Sequence, residues 1–458
     1  MNPENTTLVA PARLVTVTVE AKDADPMLFL RMGKGGPRGF WAKADRWVAH
    51  NGTIASLSEN GSSSMDRFSA IGNEAHNLIE AASGVCGELE SPIRFYGGFS
   101  FRSDHSAVDL WKGFKPALFH LPEFELEGGH LQSPRLTARA IVGPDDGDTD
   151  KILEVLSVKV RQICKRLQEM EPGDIKHSHA VSTLRSESER NLWDSAVNKA
   201  LSAIAKEEVY KVVLARTMDV VTEEHLDHVT VLKHLWEENH GSHVFLFEPE
   251  SGCPLLGATP ETLAAMSSGV FHATAVAGTI ARGGTLAEQE ALAASLLASK
   301  KDGVEHKLAL EDMMARLEPL AQEVHVQPEP HVLTLSRIQH LETEIRAIMP
   351  EGTSVLEILE SLHATAAVCG LPRDKALEFL DREEPFERGW YAGPVGWFDL
   401  EGNGSFAPAL RCALARGYSW RLFAGAGIVA GSDPSLEWYE TNMKFEPVLQ
   451  ALAASGAQ

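Results

Sequence analysis

The order of strand-like and helix-like segments is the feature that most constrains the fold of this chain. Short apolar runs between turns are typical of strands, and apolar residues at helical spacing predict helices. Predicted strands lie near 94–101, 209–216, 244–247, 271–276, 391–398, 407–415 and 420–424, and predicted helices near 151–170, 186–204, 286–299 and 302–323 and after residue 433. The regular strand–helix alternation that would indicate a doubly wound parallel sheet is absent. We therefore expect an α+β fold of large antiparallel sheets surrounded by helices.

Turn-forming segments flank the first predicted helix. The segment at 142–148 is rich in Gly, Pro and Asp, and 171–174 contains an adjacent Pro and Gly. Such residues break helices and strands. Before the first of these breaks the pattern is mostly that of strands.

The composition excludes some classes of partner. The chain has 458 residues and a formal net charge of −22, from 64 acidic and 42 basic residues, and it has no basic block. A nucleic-acid partner is therefore not expected. The five cysteines are scattered without a C-x-x-C pair, which argues against a disulfide framework and against a zinc site. With no signal-like start and no apolar run long enough to span a membrane, we expect a cytoplasmic protein without membrane contact.

The segment after Asp433 places three charged side chains on one face of a predicted helix. Asp433 can cap this helix, and Pro434 suits its first turn. Steps of three and four residues connect Glu437, Glu440 and Lys444. Two carboxylates and an ammonium group just after a glycine-rich turn suit a divalent cation and an anionic small molecule. A solvated helix face with an ion pair is the alternative, and this segment alone does not separate the two.

Lys211 and Glu261 are candidates for acid–base chemistry. Lys211 lies in the otherwise apolar strand predicted at 209–216. It either snorkels at a sheet edge or is desolvated, and desolvation lowers the pKa of a lysine so that it can act as a base. Glu261 follows Thr259 and Pro260 in a segment that is typical of a strand-to-helix turn. A favourable charge at the start of that helix would explain Glu261 without catalysis.

Three further segments carry candidate binding groups. Asp302 and Glu305 have the spacing of a capping box, and a metal ligand is the other interpretation of Glu305. His363 lies in a turn-prone segment of small residues, where it can bind a substrate carboxylate or a backbone carbonyl. Gly278 and Thr279 belong to a predicted turn whose backbone amides can face an anion.

Taken in order, these segments resemble the chorismate-utilising enzymes. The resemblance covers about 186–452. Its motifs are KVVLAR at 211–216, GATPE at 257–261, AGT at 277–279, KDGVEH at 301–306, His363, Arg411, GAGIV at 425–429 and ETNMK at 440–444. The first 180 residues match more loosely, mainly through FYGGF at 95–99. The family implies an N-terminal α+β subdomain at 1–180 that completes the fold, a catalytic chorismate-binding region at 186–455, and an active site in the central cleft.

Within the family, the motifs are most similar to those of menaquinone-pathway isochorismate synthases. Lys211 stands where water-adding members carry lysine and ammonia-using members usually carry glutamine. Ala277 stands where one type of aminodeoxychorismate synthase has a nucleophilic lysine. The segments 362–372 and 388–393 also look like the isochorismate synthase type. The implied activity is a reversible isomerisation of chorismate to isochorismate, by addition of water at C2 and loss of the C4 hydroxyl.

The family also implies a role for each candidate residue. Lys211 would activate the water, and Glu261 would protonate the leaving hydroxyl. Mg²⁺ would be the cofactor, held by Glu305 and Glu440, with Glu437 acting through water. The implied substrate-binding residues are Gly278, Thr279, His363, Arg411, Gly425, Gly427 and Lys444. The two cations of this set, Arg411 and Lys444, would bind the enolpyruvyl carboxylate.

Other functions stay open at the level of sequence. A salicylate synthase would make isochorismate and then eliminate pyruvate, and an isochorismate synthase can also feed a siderophore pathway. An ammonia-using subunit with a glutamine amidotransferase partner is disfavoured by Lys211, so no such partner is expected. A non-catalytic binding protein is disfavoured because every matched acid and base position is filled. We expect a monomer or a homodimer.

Overall fold

The computed structural model describes residues 12–60, 67–82, 85–86, 91–129, 132–143, 148–170, 181–184 and 187–456. The helices within these ranges are α1 (Pro26–Met32), α2 (Arg67–Ala81), α3 (Thr149–Glu169), α4 (Glu187–Ala205), α5 (His228–Glu238), α6 (Leu286–Ala298), α7 (Lys300–Leu317), α8 (Val355–Leu362), α9 (Arg373–Glu383) and α10 (Pro434–Gly456), with a short 3-10 helix at Asp109–Trp111. The strands of the N-terminal part are β1 (Arg13–Glu20), β2 (Arg38–Lys43), β3 (Arg46–Asn51), β4 (Ala55–Glu59), β5 (Val85–Cys86), β6 (Arg94–Phe99), β7 (Ala117–Leu121), β8 (Phe124–Gly129) and β9 (Gln132–Val142). The strands that follow are β10 (Val181–Leu184), β11 (Lys211–Thr222), β12 (His243–Glu248), β13 (Leu255–Thr259), β14 (Ala264–Ser267), β15 (Val270–Ala281), β16 (Glu323–Val326), β17 (His331–Thr334), β18 (Ile338–Ile348), β19 (Gly370–Leu371), β20 (Pro394–Asp399), β21 (Gly404–Pro408), β22 (Cys412–Arg416) and β23 (Ser419–Ile428).

The strands form two large sheets. The larger sheet has 13 strands in the order β10-β11-β23-β22-β13-β12-β2-β3-β8-β9-β1-β5, with β19 paired to β11. The smaller sheet has 10 strands in the order β16-β18-β15-β14-β21-β20-β6-β7-β4, with β17 paired to β18. Among the described strands only β1 and β5 pair in parallel. The predicted α+β fold of large antiparallel sheets surrounded by helices is therefore confirmed.

Both sheets draw strands from both parts of the chain. The N-terminal strands β6, β7 and β4 extend the smaller sheet beyond β20, and β2 joins the larger sheet beside β12. The N-terminal part thus completes sheets that the C-terminal part begins. Whether the predicted regions 1–180 and 186–455 fold independently stays a prediction.

Two helices, one packed against each sheet, meet near one end of β11. On the larger sheet, α10 packs against β23, while α7 packs against β15 of the smaller sheet. The buried face of α10 includes Phe445, Val448 and Leu452, which join a core of apolar side chains from α3, α5 and the larger sheet. This packing leaves the first two turns of α10 facing the start of α7. Among the described residues, no helix is both long enough and apolar enough to cross a membrane.

Most predicted elements are present, but several predictions of local structure were wrong. The helix predicted to 323 ends at Leu317, because Pro319 lacks the N–H that a further turn needs. The strand predicted at 407–415 is two strands in different sheets, separated by a turn at which Arg411 has a φ of 48°. No helix follows Pro260, because the chain continues into β14.

Some predictions concern residues outside the described ranges. The turn at 142–148 is described only at its two ends, and 171–174 lies wholly outside, as does the predicted helix start at Ser186. The helix itself is present as α4.

Candidate active site

A cleft lies between the two sheets, beside α7 and α10. Its walls come from β11 and β23 of the larger sheet, from β15 and β18 of the smaller one, and from the segment that follows β13. The predicted site residues that line it are Glu261, Gly278, Thr279, Glu305, Arg411, Gly425, Gly427 and Lys444. Residues that are far apart in sequence therefore meet in one cleft.

Lys211 lies directly behind the wall of this cleft. Its side chain is fully buried, and its Nζ lies 3.2 Å from Glu305 Oε1. The same Nζ has no hydrogen-bond partner among the described residues. Because β11 pairs with β23 on one side and with β10 and β19 on the other, Lys211 is not at a sheet edge. Lys211 is therefore desolvated and does not snorkel.

Glu261 is a buried carboxyl group in the segment between β13 and β14. It is 2% exposed, and its Oε1 has no hydrogen-bond partner in the described part of the chain. Burial raises its pKa to about 8, against the opposing effect of Lys211 and Arg411. With no helix after Pro260, the helix-dipole explanation of this carboxyl group does not apply. Glu261 is mostly protonated at neutral pH and can donate a proton.

This pKa has a consequence for stability. Glu261 ionises near 4.5 in the unfolded chain and near 8 in the folded one, so its contribution to stability is full below pH 4.5 and is lost as the pH rises through 8. We expect Glu261→Gln to remove this loss, on the order of 2–4 kcal/mol between pH 5 and 9. Urea unfolding of both proteins across that range measures it.

The exposed Glu311, on α7, provides the control for this prediction. Glu311→Gln should leave the pH dependence of unfolding as in the unmodified protein. If the free energy of unfolding depended on pH in the same way in Glu261→Gln and in the unmodified protein, this result would contradict the raised pKa of Glu261.

Three predicted metal ligands come together from two helices. Glu305 lies in α7, while Glu437 and Glu440 lie in the first two turns of α10, and all three are less than 10% exposed. The ammonium group of Lys301 lies between the helices, 2.9 Å from Glu437 Oε1 and 3.9 Å from Glu305 Oε2. As they stand, no three His, Cys, Asp or Glu side chains of the described residues are spaced to hold a metal ion.

The donor atoms of these carboxylates nevertheless fit a hard cation. Glu305 Oε2 and Glu437 Oε2 are buried and have no hydrogen-bond partner within the described ranges. A buried oxygen in that state is costly unless it gains a partner. Glu305 is also free of the predicted capping role, because Ser299 caps α7 by accepting from the Asp302 backbone N–H. Carboxylate oxygens are the ligands that Mg²⁺ prefers.

The two carboxylates of α10 differ in their ionisation. Burial and the neighbouring Glu440 raise the pKa of Glu437 to about 7. Burial also raises the pKa of Glu440, but Lys444 and Lys301 lower it more, so that it lies below its ordinary value. Lys444 Nζ lies 2.6 Å from Glu440 Oε1, and Thr279 Oγ1 donates to the same oxygen at 3.1 Å. Glu440 is therefore the ionised member of the pair at neutral pH.

A buried histidine holds the guanidinium group of Arg411. Arg411 Nη2 lies 2.9 Å from His340 Nε2, and His340 Nδ1 lies 2.9 Å from the Gly278 carbonyl oxygen. Burial and the charge of Arg411 lower the pKa of His340 well below its ordinary value, so the ring is neutral. A neutral ring that donates from Nδ1 to Gly278 accepts from Arg411 at Nε2. His340 fixes the orientation of a cation in the cleft.

Glycine is required where β23 passes the buried charges. A Cβ atom on Gly427 would lie 2.0 Å from Glu305 Oε1 and 2.9 Å from Lys211 Cε. Gly278, with a φ of +71°, lies at the irregularity in the pairing of β15 with β18. This residue turns the β15 backbone at the cleft wall, where left-handed backbone favours glycine.

His363 lies outside the cleft. Its Nε2 is 2.8 Å from the Phe101 carbonyl oxygen, and its ring lies beside the rings of Phe68 and Phe101. Burial lowers its pKa to about 3. Of the predicted segment, Ala367 and Val368 line the cleft instead. The structure therefore gives the imidazole a backbone partner, and a contact between His363 and a substrate stays a prediction.

Three residues of the site received no role from the sequence. His340 and Tyr391 line the cleft, and Lys301 lies among the carboxylates. Tyr391 stacks on Phe423 with ring centroids 5.1 Å apart. Lys301 and Tyr391 lie in segments of the family resemblance, whereas His340 lies in none of them, so only the pairing of distant elements identifies it.

Comparison with known proteins defines the family. A family profile described as "Chorismate binding enzyme" matches residues 4–453. The chain belongs to this family. Isochorismate synthase MenF of Bacillus subtilis is 30% identical to this family member over 452 residues, which are 96% of this chain and 94% of that protein. The salicylate biosynthesis isochorismate synthase of Pseudomonas aeruginosa is 34% identical over 378 residues, which are 80% and 76% of the two chains.

A solved structure of the same family also matches nearly the whole chain. MenF, the menaquinone-specific isochorismate synthase from Escherichia coli, superposes with a TM-score of 0.76 at 26% identity, covering 97% of this chain and 95% of that one. The N-terminal third of this family member, which matched only loosely by motif, therefore belongs to the same fold.

Proposed function

We propose that this chain is an isochorismate synthase that interconverts chorismate and isochorismate. The observation that carries this proposal is the pairing of a buried acid that is protonated at neutral pH, Glu261, with a buried lysine, Lys211, at one cleft. Water addition with loss of a hydroxyl group needs one acid and one separate base. Relatives named as isochorismate synthases that match most of the chain support the same activity.

In this reaction Lys211, in its neutral form, takes a proton from the water that attacks C2 of chorismate. The ring double bonds shift, and the C4–oxygen bond breaks as Glu261 donates its proton to the leaving hydroxyl, which departs as water. The product has the atoms of the substrate, so no oxidant or second substrate is consumed. Protons returned to Glu261 and removed from Lys211 restore the starting state.

The charges around the cleft suit an anionic substrate. Arg411, held by His340, and Lys444 supply cations to the cleft. Glu305, Glu440 and Glu437 would hold Mg²⁺ next to Lys444, and the ion would bind a substrate carboxylate and offset the local negative charge. Gly278, Thr279, Gly425 and Gly427 also line the cleft and would contact the substrate.

Two wall residues disfavour an ammonia-using reaction. Ala277 presents only a methyl group to the cleft, so that position has no amine nucleophile. A lysine at 211 suits water activation. We therefore propose that the protein works without an amidotransferase partner, and that its product feeds menaquinone formation, as the name of the MenF relatives suggests.

Product analysis tests the proposal. Purified protein incubated with chorismate and MgCl₂ should give isochorismate in reversible balance with chorismate, with and without ammonium salt. A coupled lactate dehydrogenase assay should detect little pyruvate. Stoichiometric pyruvate would establish a salicylate synthase instead, and an aminated product that forms only with ammonium would establish an ammonia-using synthase.

The metal site gives a separate prediction. Chelation should abolish turnover and Mg²⁺ should restore it. Glu440→Gln should reduce kcat by about 100-fold or more, since a metal supplies several kcal/mol of charge stabilisation. Steady-state kinetics at saturating Mg²⁺ and thermal melting check this result. Glu446→Gln, farther along α10, is the matched control and should keep a kcat near that of the unmodified protein. Full turnover in excess chelator would exclude a role for the metal.

A further inference from the structure

Lys301 occupies an unusual position for a lysine. It lies in the first turn of α7, where the helix dipole disfavours a cation. Its side chain is 25% exposed, and its Nζ contacts Glu437 at 2.9 Å, Asp302 at 3.8 Å and Glu305 at 3.9 Å. Helix electrostatics do not explain this placement, but the surrounding carboxylates do.

The ammonium group also connects two separate layers of the fold. Glu437 belongs to α10 on the larger sheet, whereas Lys301 and Glu305 belong to α7 on the smaller one. Without a cation between them, the buried Glu305, Glu437 and Glu440 would repel one another. Lys301 therefore holds the two helices together at the mouth of the carboxylate cluster.

The contacts of Lys301 conflict with those of a metal ion. A divalent ion bound to Glu305, and to Glu437 through water, would lie next to the present position of the ammonium group, and two cations that close repel strongly. Lysine has a long, flexible stem, and this one is partly exposed, so its ammonium group can withdraw into solvent.

We propose that Lys301 is an internal cation that stabilises the metal-free carboxylate site and competes with Mg²⁺ for it. Metal binding is then an exchange, in which the ammonium group leaves Glu437 as the ion arrives. Lys301 lowers the affinity for Mg²⁺ and keeps the helices in register when no metal is bound. This inference rests on the magnesium site of the proposed function.

Direct titration with MgCl₂ in the absence of substrate tests the exchange. Isothermal titration calorimetry should give Lys301→Met an affinity for Mg²⁺ about tenfold higher than that of the unmodified protein. In EDTA, Lys301→Met should melt at a lower temperature than the unmodified protein. Addition of Mg²⁺ should raise the melting temperature of the variant by more than it raises that of the unmodified protein. Lys301→Gln gives the same comparison with a shorter neutral side chain.

Two controls complete the experiment. Lys301→Arg keeps the charge and should bind Mg²⁺ nearly as the unmodified protein does, as should Lys307→Met, at an exposed position of the same helix. Equal or weaker Mg²⁺ affinity in both neutral variants at position 301 would overturn the role of Lys301. If neither the unmodified protein nor the neutral variants bound Mg²⁺, the magnesium site itself would fail.

Discussion

Lys211→Ala is expected to reduce kcat by about 10²–10⁴-fold, the usual contribution of a general acid–base group. The KM for chorismate should change little, because the substrate contacts proposed for Arg411 and Lys444 are unaffected. The variant should stay folded, because the removed Nζ makes no hydrogen bond to the described residues and Glu305, which loses its contact with Lys211, keeps Lys301 as a neighbouring cation. Steady-state kinetics and thermal melting measure the two effects separately.

Lys115→Ala is a suitable control for this substitution. Lys115 is partly buried, and its Nζ donates to Ser58 Oγ at 2.9 Å, outside the cleft. Its removal should leave kcat near normal. A Lys211→Ala protein with kcat within a few-fold of normal would show that Lys211 is structural and not the base.

Gly427→Ala should cause a comparable loss of activity through geometry. The added Cβ would lie 2.0 Å from Glu305 Oε1, and β23 has little freedom to move because it is paired with β11 at this position, with Gly427 opposite Val213. Glu305 must therefore leave its position, and Lys211 Cε, 2.9 Å from the same Cβ, must also shift. We expect kcat to fall by about 100-fold or more and Mg²⁺ to bind more weakly.

Gly303→Ala provides the matched control on α7. A Cβ atom on Gly303 would meet no atom within 4 Å, and alanine is favoured over glycine inside a helix by about 1 kcal/mol. This variant should keep its activity and melt at the same or a higher temperature. Normal kcat and normal Mg²⁺ affinity in Gly427→Ala would show that Glu305 does not need the space at this glycine.

The fold was predictable where the local pattern and the tertiary structure agree. Asp433 caps α10 as expected, with its Oδ1 accepting from the backbone N–H groups of Ser435 and Leu436. The helical spacing of Glu437 and Glu440 then places both carboxylates on the buried face. Here the local rules for helix capping and side-chain spacing predict the start of α10 and its buried face. The rest of the chain supplies only the surface against which that face packs.

The failures occurred where distant strands override local preference. Thr259 and Pro260 have the character of a helix start, but Leu263 donates to the Phe406 carbonyl oxygen and the segment continues as a strand of the smaller sheet. The capping box predicted at Asp302 and Glu305 was displaced because Ser299 begins α7 three residues earlier. In both cases the wrong prediction had offered a helix-end explanation for a carboxylate, Glu261 or Glu305, that the structure does not support.

The site was only partly predictable for a related reason. The likeness to a known family located Glu261, Arg411 and Lys444, which the structure brings into one cleft. It did not distinguish His363, which bonds a backbone carbonyl, from His340, which holds Arg411. Which of two buried histidines faces a cleft depends on how the two sheets pack, and no local spacing encodes that packing.

Turnover of chorismate in ¹⁸O-labelled water tests the central claim most directly. If Lys211 activates water for attack at C2 while Glu261 releases the C4 hydroxyl, mass spectrometry should find isochorismate that carries one ¹⁸O atom at C2, and no equivalent release of pyruvate. Unlabelled isochorismate would contradict the account, because the hydroxyl group would then have moved within the substrate and would not have come from the water that Lys211 activates.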